Sequence, residues 1–145
     1  MPDEKRTQPY TKFHAALLGA NTDLRGHFLF GRMDEVESDW FYRKETNIGL
    51  ILTCTRYARD PRYPYSATRD IKKAHWNIRD PDPERLKKGF HEVWLLVLEC
   101  LLNGKDVLIH CQESFHRAPI AFACIFQAIT GVSYKVVHVI IVIIS

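Results

Sequence analysis

The sequence predicts an α/β fold: a central, mostly parallel sheet flanked by helices. Three observations carry that prediction. The segments His27 to Arg32, Ile48 to Thr53 and Lys105 to His110 are short runs read as strands, Ile48 to Thr53 carrying the β-branched residues typical of a buried one. Between the last two, Glu84 to Asn103 repeats Leu86, Phe90, Val93, Trp94, Val97 and Leu101 at the period of an α-helix. Strands and helices therefore alternate, as parallel neighbours require, because a parallel pair needs a long crossover.

Taken in order, Met1 to Pro9 is polar and is predicted to be a disordered tail, leaving residues 10–145 as a single domain. His27 to Arg32 is a short strand closed by Gly31. Glu37 to Thr46 sets Trp40, Phe41 and Arg43 at helical spacing, with Ser38 placed to cap that helix. Ile48 to Thr53 is a buried strand ending at Cys54. Arg56 to Arg69 holds two prolines and three tyrosines and reads as a loop. Lys73 to Ile78 reads as a strand, and Asp80-Pro81-Asp82-Pro83 then forces a turn from which Pro83 and Glu84 open the long helix. Asn103-Gly104 stops that helix. Pro119 to Ile129 is a second apolar helix, ended by Thr130-Gly131.

Composition narrows the function. Lys and Arg total 20 against 17 Asp and Glu, a net charge of +3 that is too small to signal nucleic-acid binding. The longest apolar stretch, Val136 to Ile144, spans nine residues with a histidine inside. A membrane helix needs about 20. Without metal-type spacing, Cys54, Cys100, Cys111 and Cys124 suit a reducing compartment, so a cytoplasmic or nuclear setting is expected. Trp40, Trp76 and Trp94 read as packing residues.

The chemistry concentrates in Val107 to Ala121, VLIHCQESFHRAPIA. A buried strand runs into His110-Cys111; five residues follow, then Arg117, then Pro119 at the mouth of a helix. So short a connection must curl, and its amides can converge on one anion. The helix start adds positive potential, and Arg117 offers two donors to two phosphate oxygens. A thiol at the base of such a nest is ionised more easily and becomes a nucleophile. The bland alternative is a small core cysteine with a chance C-x5-R spacing.

On His110-Cys111-Gln112-Glu113-Ser114-Phe115-His116-Arg117 the chain resembles the small dual-specificity phosphatases, whose signature is HCxxGxxR followed by Ser or Thr. The likeness extends over about residues 27 to 135, with His27 to Arg32 similar to the family's opening strand. It implies a phosphatase-like fold and a cysteine-dependent protein phosphatase acting through a phosphocysteine. Cys111 would be the nucleophile, Arg117 the clamp, Gln112, Glu113, Ser114, Phe115 and His116 the phosphate-binding loop, and His110 the residue that orders it. No cofactor, metal, membrane or nucleic-acid partner is implied. The implied partner is a phosphorylated protein, with an RNA 5′-phosphate left open as substrate. Glu113 on the loop rim disfavours polyanionic substrates.

The family sets its general acid about thirty residues before the cysteine. Asp80 stands 31 residues ahead and Asp82 stands 29 ahead, and the Ile-x-Asp pattern favours Asp80. Asp82, just before Pro83, also suits a helix cap. Two departures matter. Ser114 replaces the loop glycine, and Ala118 replaces the hydroxyl that assists breakdown of the phosphocysteine, which implies slow turnover at that step. Three readings therefore stay open: an active dual-specificity phosphatase, a weak or inactive phosphate-binding module, and a rhodanese-like cell-cycle phosphatase, whose loops also carry Ser and a small residue before Pro. Cys54 reads as core packing or, as in some relatives, as a thiol that pairs with the nucleophile on oxidation. The family continues with covering helices where this chain has Val136 to Ile144. That end reads as truncated or altered, or else as a terminal buried strand or helix.

Overall fold

The computed structural model describes residues 25–54, 61–78, 80–111 and 124–125, together with the backbone of a strand at Lys12–His14. Among the described residues these elements follow in order: β1 (Lys12–His14), β2 (His27–Gly31), α1 (Met33–Val36), α2 (Asp39–Lys44), β3 (Ile48–Thr53), α3 (Tyr65–Thr68), β4 (Lys72–His75), α4 (Pro83–Leu102) and β5 (Asp106–His110). The strands form one sheet in the order β1-β2-β5-β3-β4. All neighbours are parallel except the edge pair β1 and β2. The expected α/β class with a mostly parallel sheet is therefore what the chain adopts.

Alternation along the strands builds two cores. Phe28, Leu52, Val107 and Ile109 face α4 and pack with its Val93, Val97, Cys100 and Leu101. Leu29, Ile51 and Leu108 face the other way and pack with Val36, Trp40, Phe41 and Tyr42. The central strand β5 is buried along its whole length. A strand covered on both faces reads as a continuous apolar run, which is why Val107-Leu108-Ile109 stands out in the sequence. Val97 and Leu101 are fully buried, each contributing about 1.5–3 kcal/mol by leaving water.

The long helix begins as its sequence indicates. Asp82 is the N-cap: its carboxylate accepts the Glu84 amide at 3.0 Å, with Pro83 in the first turn. At the other end Gly104 adopts φ +72°, a left-handed conformation that suits glycine, and its amide bonds back to the Leu101 carbonyl at 3.1 Å.

Several expectations need correction. Ser38 does stand at the N-cap of α2, but its hydroxyl donates backwards to the Asp34 carbonyl and makes no cap bond. Arg56 to Arg69 is not all loop, since α3 lies within it, closed by Thr68 Oγ1 donating to the Pro64 carbonyl at 2.9 Å. β4 starts at Lys72 and ends at His75, so Trp76 to Ile78 lies beyond the strand. Of the predicted helix Pro119 to Ile129, Cys124 and Ile125 are described and are helical. The predicted tail Met1 to Pro9 and the run Val136 to Ile144 lie outside the described residues. None of the four cysteines is in a disulfide; Cys100 is buried and Cys124 half-buried against the α4-side core, as expected of core residues.

Candidate active site

The parallel strands end together, and their last residues form a row. Gly31 pairs with His110, His110 with Thr53, and Thr53 with His75. Ligand sites of parallel sheets lie at this carboxyl edge. The ladder continues one step further: the Cys54 amide donates to the His110 carbonyl at 2.8 Å, and the Trp76 amide to the Thr53 carbonyl at 2.9 Å.

Cys111 follows directly from the central strand. It is nearly buried, on the α4 side of the sheet, in one cluster with Cys54 and Ile125. His110 points to the opposite face and is fully buried. Its Nε2 lies 2.7 Å from Thr53 Oγ1, which in turn lies 3.1 Å from the Tyr63 hydroxyl. Burial pushes the imidazole pKa down to about 4, because a charged ring is poorly solvated there. The Cys111 main chain and the Glu37 carboxylate pull it partly back, while His75 adds to the depression. His110 is therefore neutral at neutral pH.

The β4–α4 connection leaves the sheet at the same edge, since β4 runs parallel to β3 and β3 to β5. It starts at buried Trp76, whose indole N–H donates to the Leu86 carbonyl at 3.2 Å and whose ring packs on Phe90 with centroids 5.5 Å apart. Further along, Asp80 Oδ1 accepts the Asp82 amide at 2.9 Å and Arg85 Nη2 at 3.2 Å, and Oδ2 sits 3.2 Å from Arg85 Nε. The Asp82 amide, reinforced by the Arg85 guanidinium, holds the Asp80 carboxyl below the usual carboxylate range. Asp82, the other acid candidate, is engaged as the helix cap.

The structure thus brings His110 and Cys111 to the carboxyl edge and puts Asp80 in the connection leaving it. Gln112, Glu113, Ser114, Phe115, His116, Arg117 and Ala118 lie outside the described residues. Thr53 and Tyr63 join the site unforeseen. The strand pattern placed Thr53 at the end of a run, and its pairing with His110 depends on sheet register, which no local pattern encodes. Among the described residues, no group of three or more His, Cys, Asp or Glu side chains gathers to hold a metal. No helix among them is long and apolar enough to cross a membrane.

Compared by sequence, the chain matches no protein-family model, and no curated protein matches it either. Compared by structure, it is similar to several phosphatases. Kinase associated phosphatase, with its catalytic cysteine changed to serine, superposes with a TM-score of 0.65 at 15% identity, over 91% of this chain and 82% of that one. Human DUSP28 gives 0.62 at 11% identity, over 79% and 73%. The PTP-2 phosphatase of Cydia pomonella gives 0.57 at 19% identity, over 77% and 71%. A buried cysteine closing the central parallel strand, a long helix behind it and these superpositions agree: the chain has the fold of the small dual-specificity and tyrosine phosphatases.

Proposed function

We propose that this chain is a cysteine-dependent phosphoric monoester hydrolase acting on phosphorylated protein, with residues 10–145 as one catalytic domain in a cytoplasmic or nuclear setting. The observation that carries the reading is His110-Cys111 at the carboxyl end of the central strand of a phosphatase fold. In this mechanism the Cys111 thiolate attacks phosphorus while amides of residues 112–116 and the Arg117 fork hold the phosphoryl oxygens. The ester P–O bond breaks and the leaving oxygen takes a proton from Asp80. Water then attacks the phosphocysteine, returns a proton to Asp80, and releases inorganic phosphate and the thiolate. His110, neutral and buried, holds the strand end in place. No metal or cofactor takes part in these steps.

A second reading has its own support. The Asp82 amide and, after it, Arg85 hold the Asp80 carboxyl below the usual carboxylate range, which works against a general acid, since that group must start protonated. Together with Ser114 and Ala118 in the loop, this favours a phosphate-binding module that turns over slowly. One experiment separates the two: aryl-phosphate hydrolysis and phosphate binding by the wild type and by Cys111→Ser. Hydrolysis lost in the variant with binding kept supports the enzyme. A wild type that binds phosphate without releasing phenol supports the module. Phosphopeptides carrying phosphotyrosine, phosphoserine or phosphothreonine, beside RNA 5′-phosphates, then sort the substrate class.

A further inference from the structure

The first turn of α4 carries a cation to which the proposed chemistry gives no task. Arg85, third residue of the helix, closes on Asp80 as a fork, Nη2 3.2 Å from Oδ1 and Nε 3.2 Å from Oδ2. Asp82 Oδ2 stands 3.6 Å from the same Nε. With the Asp82 amide 2.9 Å from Oδ1, both oxygens of Asp80 are engaged. The Asp80 side chain is 17% exposed and that of Arg85 68%. The guanidinium is thus gripped on its inner side and open to solvent on its outer one. Among the described residues no hydrogen bond engages its Nη1.

This grip has a chemical consequence. A carboxyl that protonates a leaving oxygen needs its proton on an oxygen turned to the ester. In the fork one Asp80 oxygen faces Nε, and the other faces Nη2 and a main-chain amide, all of them donors. Such surroundings suit the carboxylate and leave no acceptor for a carboxyl proton. Arg85 must therefore let go before Asp80 can act. An ion pair at the surface is worth little, so another anion can take the fork at small cost. Lys88, exposed and one turn further along the same face, adds to the attraction, while Glu84 is turned about 100° away around the helix. α4 starts at the carboxyl edge where Cys111 lies, so an anion reaching Arg85 is one carried next to the phosphoester.

We infer that Arg85 is a specificity-determining latch. It selects phosphorylated segments with a single acidic residue near the phosphoresidue, and in passing from Asp80 to that carboxylate it frees the general acid. The protons balance. Released Asp80 takes a proton from water, gives it to the leaving oxygen, and regains one from the water that attacks the phosphocysteine. The inference rests on the proposed hydrolase and on Asp80 as its acid, but the preference itself is readable in binding alone.

The test uses phosphotyrosine and phosphothreonine peptides with one glutamate walked through the three positions on either side, each against an all-glutamine parent. Calorimetry with Cys111→Ser reads binding. The best glutamate peptide is expected to bind roughly fivefold tighter than its parent, the upper worth of one exposed ion pair. Adding Arg85→Gln to that variant removes the difference, and adding Arg85→Lys keeps part of it. Turnover is read with Cys111 in place. The wild type is expected to show a kcat, and not only a KM, roughly fivefold better for the glutamate peptide. Arg85→Gln raises kcat for the glutamine parent to that level, a gain that loss of a merely structural contact would not produce, and Asp80→Asn erases it. Thermal melts establish that each variant is folded. Equal binding of glutamate and glutamine peptides, or a parent kcat unchanged or lowered in Arg85→Gln, overturns the inference and leaves the hydrolase standing. A wild type that binds these peptides without hydrolysing them sinks the proposed function and the release of the acid with it, and binding then decides the Arg85 preference. Binding of neither peptide overturns both.

Discussion

Lowering the pH should destabilise this fold through His110 specifically. The imidazole titrates at about 4 in the folded chain and near 6.5 when exposed. Between those values the unfolded chain binds a proton that the native one refuses, so stability falls as pH falls. The His110 contribution is fully present above pH 6.5 and is lost on the way down to pH 4. One pH unit of difference is worth 1.36 kcal/mol, which makes the whole effect about 3 kcal/mol and the part lost between pH 7 and pH 5 about 2 kcal/mol. Against a total stability of ~5–15 kcal/mol this is easily measured. The assay is urea unfolding at pH 7, 6, 5 and 4.5 for the wild type and His110→Gln. The variant is less stable at pH 7, since its side chain cannot reproduce the Thr53 contact, but its stability should decline less steeply. Carboxylates elsewhere titrate alike in both proteins and cancel in the comparison. Parallel stability curves across pH 7 to 5 would falsify the claim that a buried neutral imidazole sits behind the candidate nucleophile.

Three further outcomes follow from other contacts. Arg85→Gln removes the guanidinium from Asp80 and raises that carboxyl's pKa. For alkyl phosphates, which need a proton at the leaving oxygen, the alkaline limb of the rate profile should move to higher pH, while p-nitrophenyl phosphate changes little; an unmoved limb removes Asp80 as the acid. Gly89→Ala places a Cβ 2.7 Å from Trp76 Cδ1 and 3.0 Å from its Nε1, so the indole must shift. The overpacking costs ~1–3 kcal/mol, of which the better helix propensity returns about 1; altered Trp76 fluorescence with a melting temperature no higher than that of the wild type is expected, and a raised melt with unchanged fluorescence contradicts it. Under peroxide, Cys111 should be oxidised to a sulfenic acid that the Cys54 thiol displaces with loss of water, since both side chains lie in the α4-side cluster one step past the paired Thr53 and His110. A peptide map without a Cys54–Cys111 link ends that idea.

Long elements with a strong period were legible without coordinates. Glu84 to Asn103 showed its apolar stripe, its proline and its asparagine-glycine stop, and α4 runs from Pro83 to Leu102. Ile48 to Thr53 was readable because both faces of β3 are covered, so the run is apolar throughout. The short helices α1 and α3, four residues each, are below the length at which a period can show. β1 has three residues and owes its existence to pairing with β2, a long-range fact. In the site, His110-Cys111 announced itself by its place after a buried strand. Thr53 and Tyr63 did not, for their role depends on which residue of one strand faces which of another.

That register has a physical origin at the far end of the sheet. Asp106, 2% exposed, opens β5; its carboxylate accepts the His27 amide at 2.8 Å and lies 3.1 Å from His27 Nδ1, while its own amide donates to the Asn47 carbonyl at 2.9 Å. Those contacts tie the starts of β2, β3 and β5 together. From them β5 takes four steps from Asp106 to His110, but β3 takes five from Ile48 to Thr53, the extra residue being absorbed by a register shift between Ile48 and Leu50. Bulges of this kind re-aim every side chain that follows. Had β3 continued in the register of Ile48 against Asp106, Leu52 would oppose His110, and the buried Nε2 would face a methyl group. The irregularity near Gly49 therefore delivers a hydroxyl to His110 at the other end of the strand. The same shift keeps Leu52 and Cys54 on the α4 side with Cys111. The polar anchor and the bulge together decide that one face of the strand end holds the imidazole and the other holds the thiol.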